Sequence, residues 1–408
     1  MRAVGRLLLA LVLSVSLAAS AYADPARLVV RVAPLEMVTP GRVRVDVLIA
    51  GVQPALHPTI EGTIAVGGAV INGARQPVVA AHLPGELDLT GGTFRLGGVR
   101  MFHFTPVPPP AENISISVDI TVRQGGETAT VHRVDMLLLP TLIVPGYLND
   151  LTDTPDPAVL AVLEHRGYRA AGHAPTVFWF AYPSRRLTLE AGARALDAYV
   201  GRTLLPAIYA ARINVVGYSE GGLLARWNLA YDRDWAHLVD RFVMLGVPNE
   251  GTVPAYVNGW YPALASIAAT PAAHDMLPTF PFWRAADGAA WSIPPDGHNA
   301  DLAALNAHPL PDGVRTYAFY GSGAHPGTWA GITGTMPAVQ YSYAPGDGIV
   351  PAASVLGRPI NGGDGIPGFT DRLVSVDLGD VRHLSLLGAA IARIADVLTD
   401  RGVTPGSR

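Results

Sequence analysis

The residues best placed to do chemistry in this chain are Gly217-Tyr218-Ser219-Glu220-Gly221-Gly222. A serine hydroxyl is a weak nucleophile at neutral pH. It acts when a base takes its proton and a carboxylate orients that base. It also needs a backbone that presents the oxygen. Here the apolar run Ile213-Asn214-Val215-Val216 ends in Gly-x-Ser-x-Gly and passes straight into the helix-forming Leu223-Leu224-Ala225-Arg226. Strand, sharp turn and helix with serine at the apex form a nucleophile elbow. A Cβ at Gly217 or Gly221 would collide with the neighbouring strand and helix. The helix begins beside the serine, so its first N–H groups can face a developing oxyanion. With 44 Gly in the chain the pentapeptide alone carries little weight; the strand-to-helix setting adds to it.

Composition removes several other chemistries. There is no Cys, which excludes disulfides, thiol catalysis and Cys-based metal sites. Every basic residue is Arg, so Lys nucleophiles and Schiff bases are excluded as well. A net charge of −4 points to neither nucleic acid nor an anionic membrane surface. His57, His82, His103 and His132 match no metal-ligand spacing and read as surface or packing residues. Asp296, His298 and Asp301 could together hold an ion, but a solvated loop explains them more simply, and no metal is expected.

The elements that must position the serine come from the second half of the chain. The 408 residues suggest two domains. Arg2 and Arg6 precede the apolar run Leu7 to Leu17 and the small-residue ending Ala21-Tyr22-Ala23. This predicts a signal peptide over 1–23, cleaved before Asp24, and a secreted or periplasmic protein. The apolar run falls short of the ~20 residues of a membrane span. Residues 24–134 read as an all-β domain. Arg42-Val43-Arg44-Val45-Asp46-Val47-Leu48-Ile49 and Ile114 to Val122 alternate apolar and polar, and Gly-Gly pairs punctuate the strands. The spacing suggests an immunoglobulin- or fibronectin-like sandwich, with Pro106 to Pro110 as a stiff loop inside it. From about 135 to 400 strands alternate with helices. Met136 to Val144, Thr176 to Phe180, Ile213 to Val216, Arg241 to Leu245, Val314 to Tyr320 and Leu373 to Leu378 are the predicted strands. Pro157 to Gly167, Leu187 to Leu204 and Leu384 to Leu398 are predicted helices. The expected result is a mostly parallel sheet covered on both faces.

This second part resembles an α/β-hydrolase, and within that superfamily the lipases and esterases of the lecithin:cholesterol acyltransferase-like group. The resemblance runs over roughly residues 137–398 and rests on blocks in order. Val144-Pro145-Gly146-Tyr147 is similar to an oxyanion loop. Gly167-Tyr168 and Phe180-Ala181-Tyr182-Pro183-Ser184-Arg185 are similar to Gly-Tyr and Tyr-Asp-Trp-Arg segments, with Pro183 and Ser184 in place of Asp-Trp. The elbow has Tyr218 where lipases usually carry His, and Glu220 where Met or Gln is common. Gly246 to Thr252 resembles Gly-Thr-Pro-Asn-x-Gly-Ser, and Leu302 to Asn306 resembles Leu-x-x-Leu-Asn. Gly346-Asp347-Gly348-Ile349-Val350-Pro351 resembles the acid block, and His383-Leu384 the histidine block.

The resemblance implies the order Ser, acid, His, which Ser219, Asp347 and His383 fit. Asp364, Asp371 and Asp380 are rival acids; His325, His298 and His274 are rival bases. It also implies an oxyanion hole made by the backbone N–H groups of Glu220 and Tyr147. An acidic Glu220 beside an oxyanion requires that its charge point away or be paired, for which Arg226 is the suggested partner. Residues 252–311 form an insertion rich in aromatics (Tyr256, Trp260, Tyr261, Phe280, Phe282, Trp283, Trp291). They build either an apolar wall for an acyl chain or the insertion's own small core. The implied activity is hydrolysis of carboxylic esters, lipid or small-molecule, through an acyl-enzyme, with no cofactor and with transient contact with a lipid surface. Acyl transfer and polyester hydrolysis are the enzymatic alternatives. A non-catalytic surface-binding protein on the same scaffold is the alternative of another class.

Overall fold

A computed structural model describes residues 27–400 except 73–74, 79, 148–155, 172–173, 253–254, 256–268, 285–289, 294–297, 324–326, 329–339 and 342–344. Residues 1–23, predicted from the sequence to be a signal peptide, and Tyr256, Trp260, Tyr261, Asp296 and His325 therefore lie outside the described residues, as do the side chains of Trp283 and Trp291. The chain divides into two compact units, one ending at Leu137 and one starting at Leu138.

The first unit is antiparallel throughout. One sheet orders Val99–His103, Thr93–Leu96, Gly85–Asp88, Arg42–Arg44 and Glu36–Thr39; a second orders Glu127–Leu137, Ile114–Gln124, Thr59–Val66 and Ala69–Asn72; Val29–Val32, Val47–Ala50 and His82–Leu83 make a third. The longest hairpin pairs Ile114–Gln124 with Glu127–Leu137 without a break in register. Its two-residue turn places both Gly125 and Gly126 at positive φ, which a primed turn requires and L side chains resist. The run Arg42 to Ile49 is not one strand as its alternation predicts. It breaks after Arg44 and resumes at Val47 in a different sheet. Val43, Val45, Val47 and Ile49 nevertheless all stay buried. At the break the Val45 N–H donates to Gly85 and the Asp46 carbonyl accepts from Ala33. Side-chain periodicity survives a change of sheet, so it cannot report one.

In the second unit six strands form one parallel sheet: β1 (Thr141–Val144), β2 (Val177–Trp179), β3 (Ile213–Tyr218), β4 (Val239–Leu245), β5 (Arg315–Tyr320) and β6 (Leu373–Asp377), in the spatial order β2-β1-β3-β4-β5-β6. The predicted strand Met136 to Val144 is shortened at its start. Met136 and Leu137 belong to the antiparallel hairpin of the first unit, and Pro140, which has no N–H to give to a ladder, stands before β1.

Strand alternation sends residues to two helical layers. Leu142, Val144, Val215, Phe242 and Met244 pack with α2 (Leu189–Tyr199) and α3 (Glu220–Tyr231). Ile143, Val216, Val243 and Leu245 pack with α1 (Pro157–His165) and α5 (Leu386–Leu398). Both faces are therefore covered, which is why these strands read as near-continuous apolar runs. Asp156 caps α1 by accepting the Ala158 N–H at 2.8 Å, and Thr188 caps α2 through Ala191. The helix predicted to reach Leu204 leaves α geometry after Tyr199 and continues as a π turn over Val200–Leu204. Between β4 and β5 the insertion carries a helix over Pro271–Asp275, a small hairpin of Phe282–Arg284 with Ala290–Ser292, and α4 (Ala300–Asn306). A parallel sheet wound on both sides, with a tight turn from β3 into α3 and an insertion after β4, is the α/β-hydrolase fold.

Candidate active site

Ser219 lies between β3 and α3 with φ 53° and ψ −128°. An L residue at positive φ is strained, and such strain persists only where the surroundings over-determine it. They do so here. The Ser219 N–H donates to the Leu245 carbonyl of β4 at 2.9 Å, and its own carbonyl accepts from Gly222 at 3.0 Å. The strand and helix flanking it touch backbone to backbone. A Cβ at Gly217 would sit 2.9 Å from the Gly222 nitrogen and closer still to its Cα. Gly217→Ala therefore has to push α3 off β3. The expected cost is about 3 kcal/mol, the upper range for overpacking. That corresponds to a fall in melting temperature of roughly 6–12 °C for a unit of this size. A thermal scan of the variant checks it; an unchanged midpoint would show that the elbow tolerates the extra carbon.

Around Ser219 the chain assembles a hydrogen-bonded line. Ser219 Oγ lies 3.0 Å from His383 Nε2, and His383 Nδ1 lies 2.7 Å from Asp347 Oδ2. All three side chains are buried. The remaining Asp347 oxygen, Oδ1, accepts the backbone N–H groups of Ile349 at 2.9 Å and Val350 at 2.7 Å. Two amide donors fix the carboxylate in place. The His383 N–H donates to the Asp347 carbonyl at 2.9 Å, so the two residues are tied through the backbone as well. Of the four candidate acids, Asp347 is the one that meets His383. Of the other candidate bases, His298 contacts the Ile293 carbonyl and His274 lies 3.9 Å from Asp275.

The loop after β1 runs against Ser219. A Cβ at Gly146 would come within 2.6 Å of Ser219 Cβ and 3.3 Å of its Oγ. Only a glycine lets the backbone of 144–147 approach this closely. Tyr182 Oη holds the loop by donating to the Pro145 carbonyl at 3.2 Å. Tyr147 follows, its hydroxyl 2.8 Å from Thr270 Oγ1 in the insertion. The same Thr270 oxygen accepts the Ala273 N–H. Tyr147 thus has its side chain anchored, although the role assigned to it from the sequence uses only its backbone. Glu220 opens α3 directly after Ser219. Its carboxylate is buried in the first helical turn, where the helix dipole favours negative charge.

Arg226, suggested as the partner of Glu220, makes several other contacts. It donates to Asn249 Oδ1 at 3.0 Å and to the Leu305 carbonyl at 3.4 Å, and its guanidinium lies 4.9 Å from the centre of the Phe369 ring. Burial pulls its pKa down to about 10, opposed by the negative charge of Glu250. Glu250 is pushed up by its own burial, against the Thr279 hydroxyl and Arg226. Asn249 is the hub of this buried network. Besides accepting from Arg226 it donates to the Val355 carbonyl at 2.7 Å, and its carbonyl accepts from Asn306 at 2.8 Å. Ser354, close to Val355, bridges the Glu250 N–H and the Gly251 carbonyl. One residue therefore links the elbow helix, the insertion and the segment following Asp347. The sequence singles out the Gly246 to Thr252 block but assigns Asn249 nothing, because its partners lie up to 106 residues away. Among the described residues no group of three or more His, Asp or Glu could hold a metal ion.

No family model and no curated protein matches this chain. Among solved structures it is similar to phospholipase PlaB from Legionella pneumophila in complex with thio-NAD, at 16% identity over 53% of this chain and 44% of that chain, with a TM-score of 0.36. It is similar to Aspergillus fumigatus lipase B at 19% identity over 66% of this chain and 54% of that chain, with a TM-score of 0.39. It is also similar to an esterase of Pyrobaculum calidifontis at 12% identity over 71% of this chain and 81% of that chain, with a TM-score of 0.37. The chain thus spans less than two thirds of the length of the first two.

Proposed function

We propose that this protein is a serine hydrolase of carboxylic esters, of lipid or small-molecule acyl type, working through an acyl-enzyme on Ser219. The observation that carries the reading is the buried line from Ser219 Oγ through His383 to Asp347, at 3.0 and 2.7 Å. His383 accepts the serine proton at Nε2 as Oγ attacks the ester carbonyl. Asp347, held by its two amide donors, keeps the other ring proton on Nδ1 and stabilises the imidazolium. The tetrahedral oxygen is received by the backbone N–H groups of Glu220 and Tyr147. His383 returns the proton to the leaving alcohol. A water then repeats the sequence on the acyl-enzyme and frees the acid and the serine. The Tyr147–Thr270 contact supports the oxyanion role, since it fixes the loop from the insertion side.

Hydrolysis of a p-nitrophenyl ester series from acetate to palmitate tests the reading. The expected result is turnover across part of the series, with the optimum reporting the length of acyl chain the insertion accommodates. A well-folded protein silent toward every member would contradict it.

A further inference from the structure

We propose that Tyr218 is a positioning residue for His383, resting on the reading of Ser219 and His383 as nucleophile and base. Tyr218 is the last residue of β3 and directly precedes the serine. Its hydroxyl donates to the His383 backbone carbonyl at 2.7 Å. Its ring lies against the imidazole, with centroids 5.3 Å apart and planes 28° from parallel. Burial, and then the nearby Asp347 carboxylate, push its phenol far above the usual tyrosine range. The hydroxyl therefore keeps its proton, and its donor, around neutral pH.

The consequence is geometric. His383 sits on the short 3-10 turn His383–Ser385, between β6 and α5, 164 residues from the serine it must meet. Its backbone N–H is tied to Asp347 and its carbonyl to Tyr218. On another side the missing Cβ of Gly246 leaves room for the ring, since an added carbon would stand 3.1 Å from His383 Cε1. The end of β3 and the turn after it thus carry a clamp on the base and the nucleophile, so the Oγ to Nε2 distance is held by two adjacent residues. The aromatic face adds a second effect: a π surface beside the imidazole favours the cation that forms when Ser219 gives up its proton. Both contributions are made to the reacting state and none to ester binding, so they belong in kcat.

The test compares Tyr218→Phe and Tyr218→Leu with the wild type and Ser219→Ala, using whichever p-nitrophenyl ester the wild type turns over best. Tyr218→Phe keeps the ring and its volume and loses the clamp; kcat is expected to fall about 10-fold, the scale of one buried hydrogen bond. Tyr218→Leu also loses the ring, and a total loss of about 100-fold is expected, the scale of a base displaced by about an ångström. In both variants KM stays within about twofold, because the residue acts after binding. A merely structural tyrosine would lower melting temperature and leave kcat per folded molecule alone. A Tyr218→Phe enzyme with wild-type kcat overturns the inference, as does a loss confined to KM. Equal activity in wild type and Ser219→Ala would instead defeat the underlying assignment of the nucleophile, and that control separates the two failures.

Discussion

Ser219→Ala is expected to leave a folded protein that has lost about 10⁵–10⁶ of its kcat toward esters, the scale seen when a triad serine is removed. Little else should change. Alanine inherits the positive φ of 53° and its strain, because the strain belongs to the backbone and not to the hydroxyl. The backbone bonds of residue 219 to Leu245 and Gly222 do not involve the side chain. Only the 3.0 Å contact with His383 is lost, so stability should move by no more than about 1 kcal/mol. The residual activity comes from oxyanion donors and substrate positioning alone. Parallel kinetic and thermal measurements on the variant check both halves. Turnover within tenfold of wild type in a protein of unchanged stability would remove Ser219 from the mechanism.

Asp347→Asn is expected to cost about 10⁴ in kcat for a reason that can be traced atom by atom. The Ile349 and Val350 N–H groups both point at Oδ1. In the variant the amide oxygen must take that position, because the alternative sets an NH₂ group against two backbone donors. The amide nitrogen then faces His383 Nδ1, 2.7 Å away in the wild type. Nδ1 must accept, so its proton moves to Nε2, the atom that has to take the proton from Ser219. The base is present, in place and in the wrong tautomer. The loss should fall in kcat with KM little changed. A near-native kcat in Asp347→Asn would show that the carboxylate is not what orients His383.

How much of this was legible in the sequence varies by element. The central strands were, because burial on both faces leaves few polar positions: Leu142 and Val144 serve one layer, Ile143 the other. The elbow was, because its turn and close packing demand particular residues over a short span. Where periodicity persists across a topological change the sequence is silent, as at Val45 and Asp46. Apolar character alone also joined Met136 and Leu137 to a strand they do not enter. Local spacing left four acids open for the partner of His383, and the Ile349 and Val350 amides that hold Asp347 carry no side-chain signal. The other contacts of Arg226 were not legible for a similar reason. Glu220 is near in sequence, whereas Asn249 and Leu305 become neighbours only after the sheet and insertion have folded. Tyr218 was visible only as a departure from the usual residue, and its contact with His383 spans 165 residues.

The acyl-enzyme itself offers the most direct test of the central claim. The protein is mixed with a p-nitrophenyl ester, quenched in acid during steady turnover, digested with trypsin and weighed peptide by peptide. Trypsin cuts after Arg212 and Arg226, so Ser219 is the only serine in the fragment Ile213–Arg226. The account predicts that this fragment gains the mass of the acyl group, that the adduct decays once substrate is exhausted, and that Ser219→Ala shows none. An acyl group trapped on a different fragment while turnover continues would contradict it.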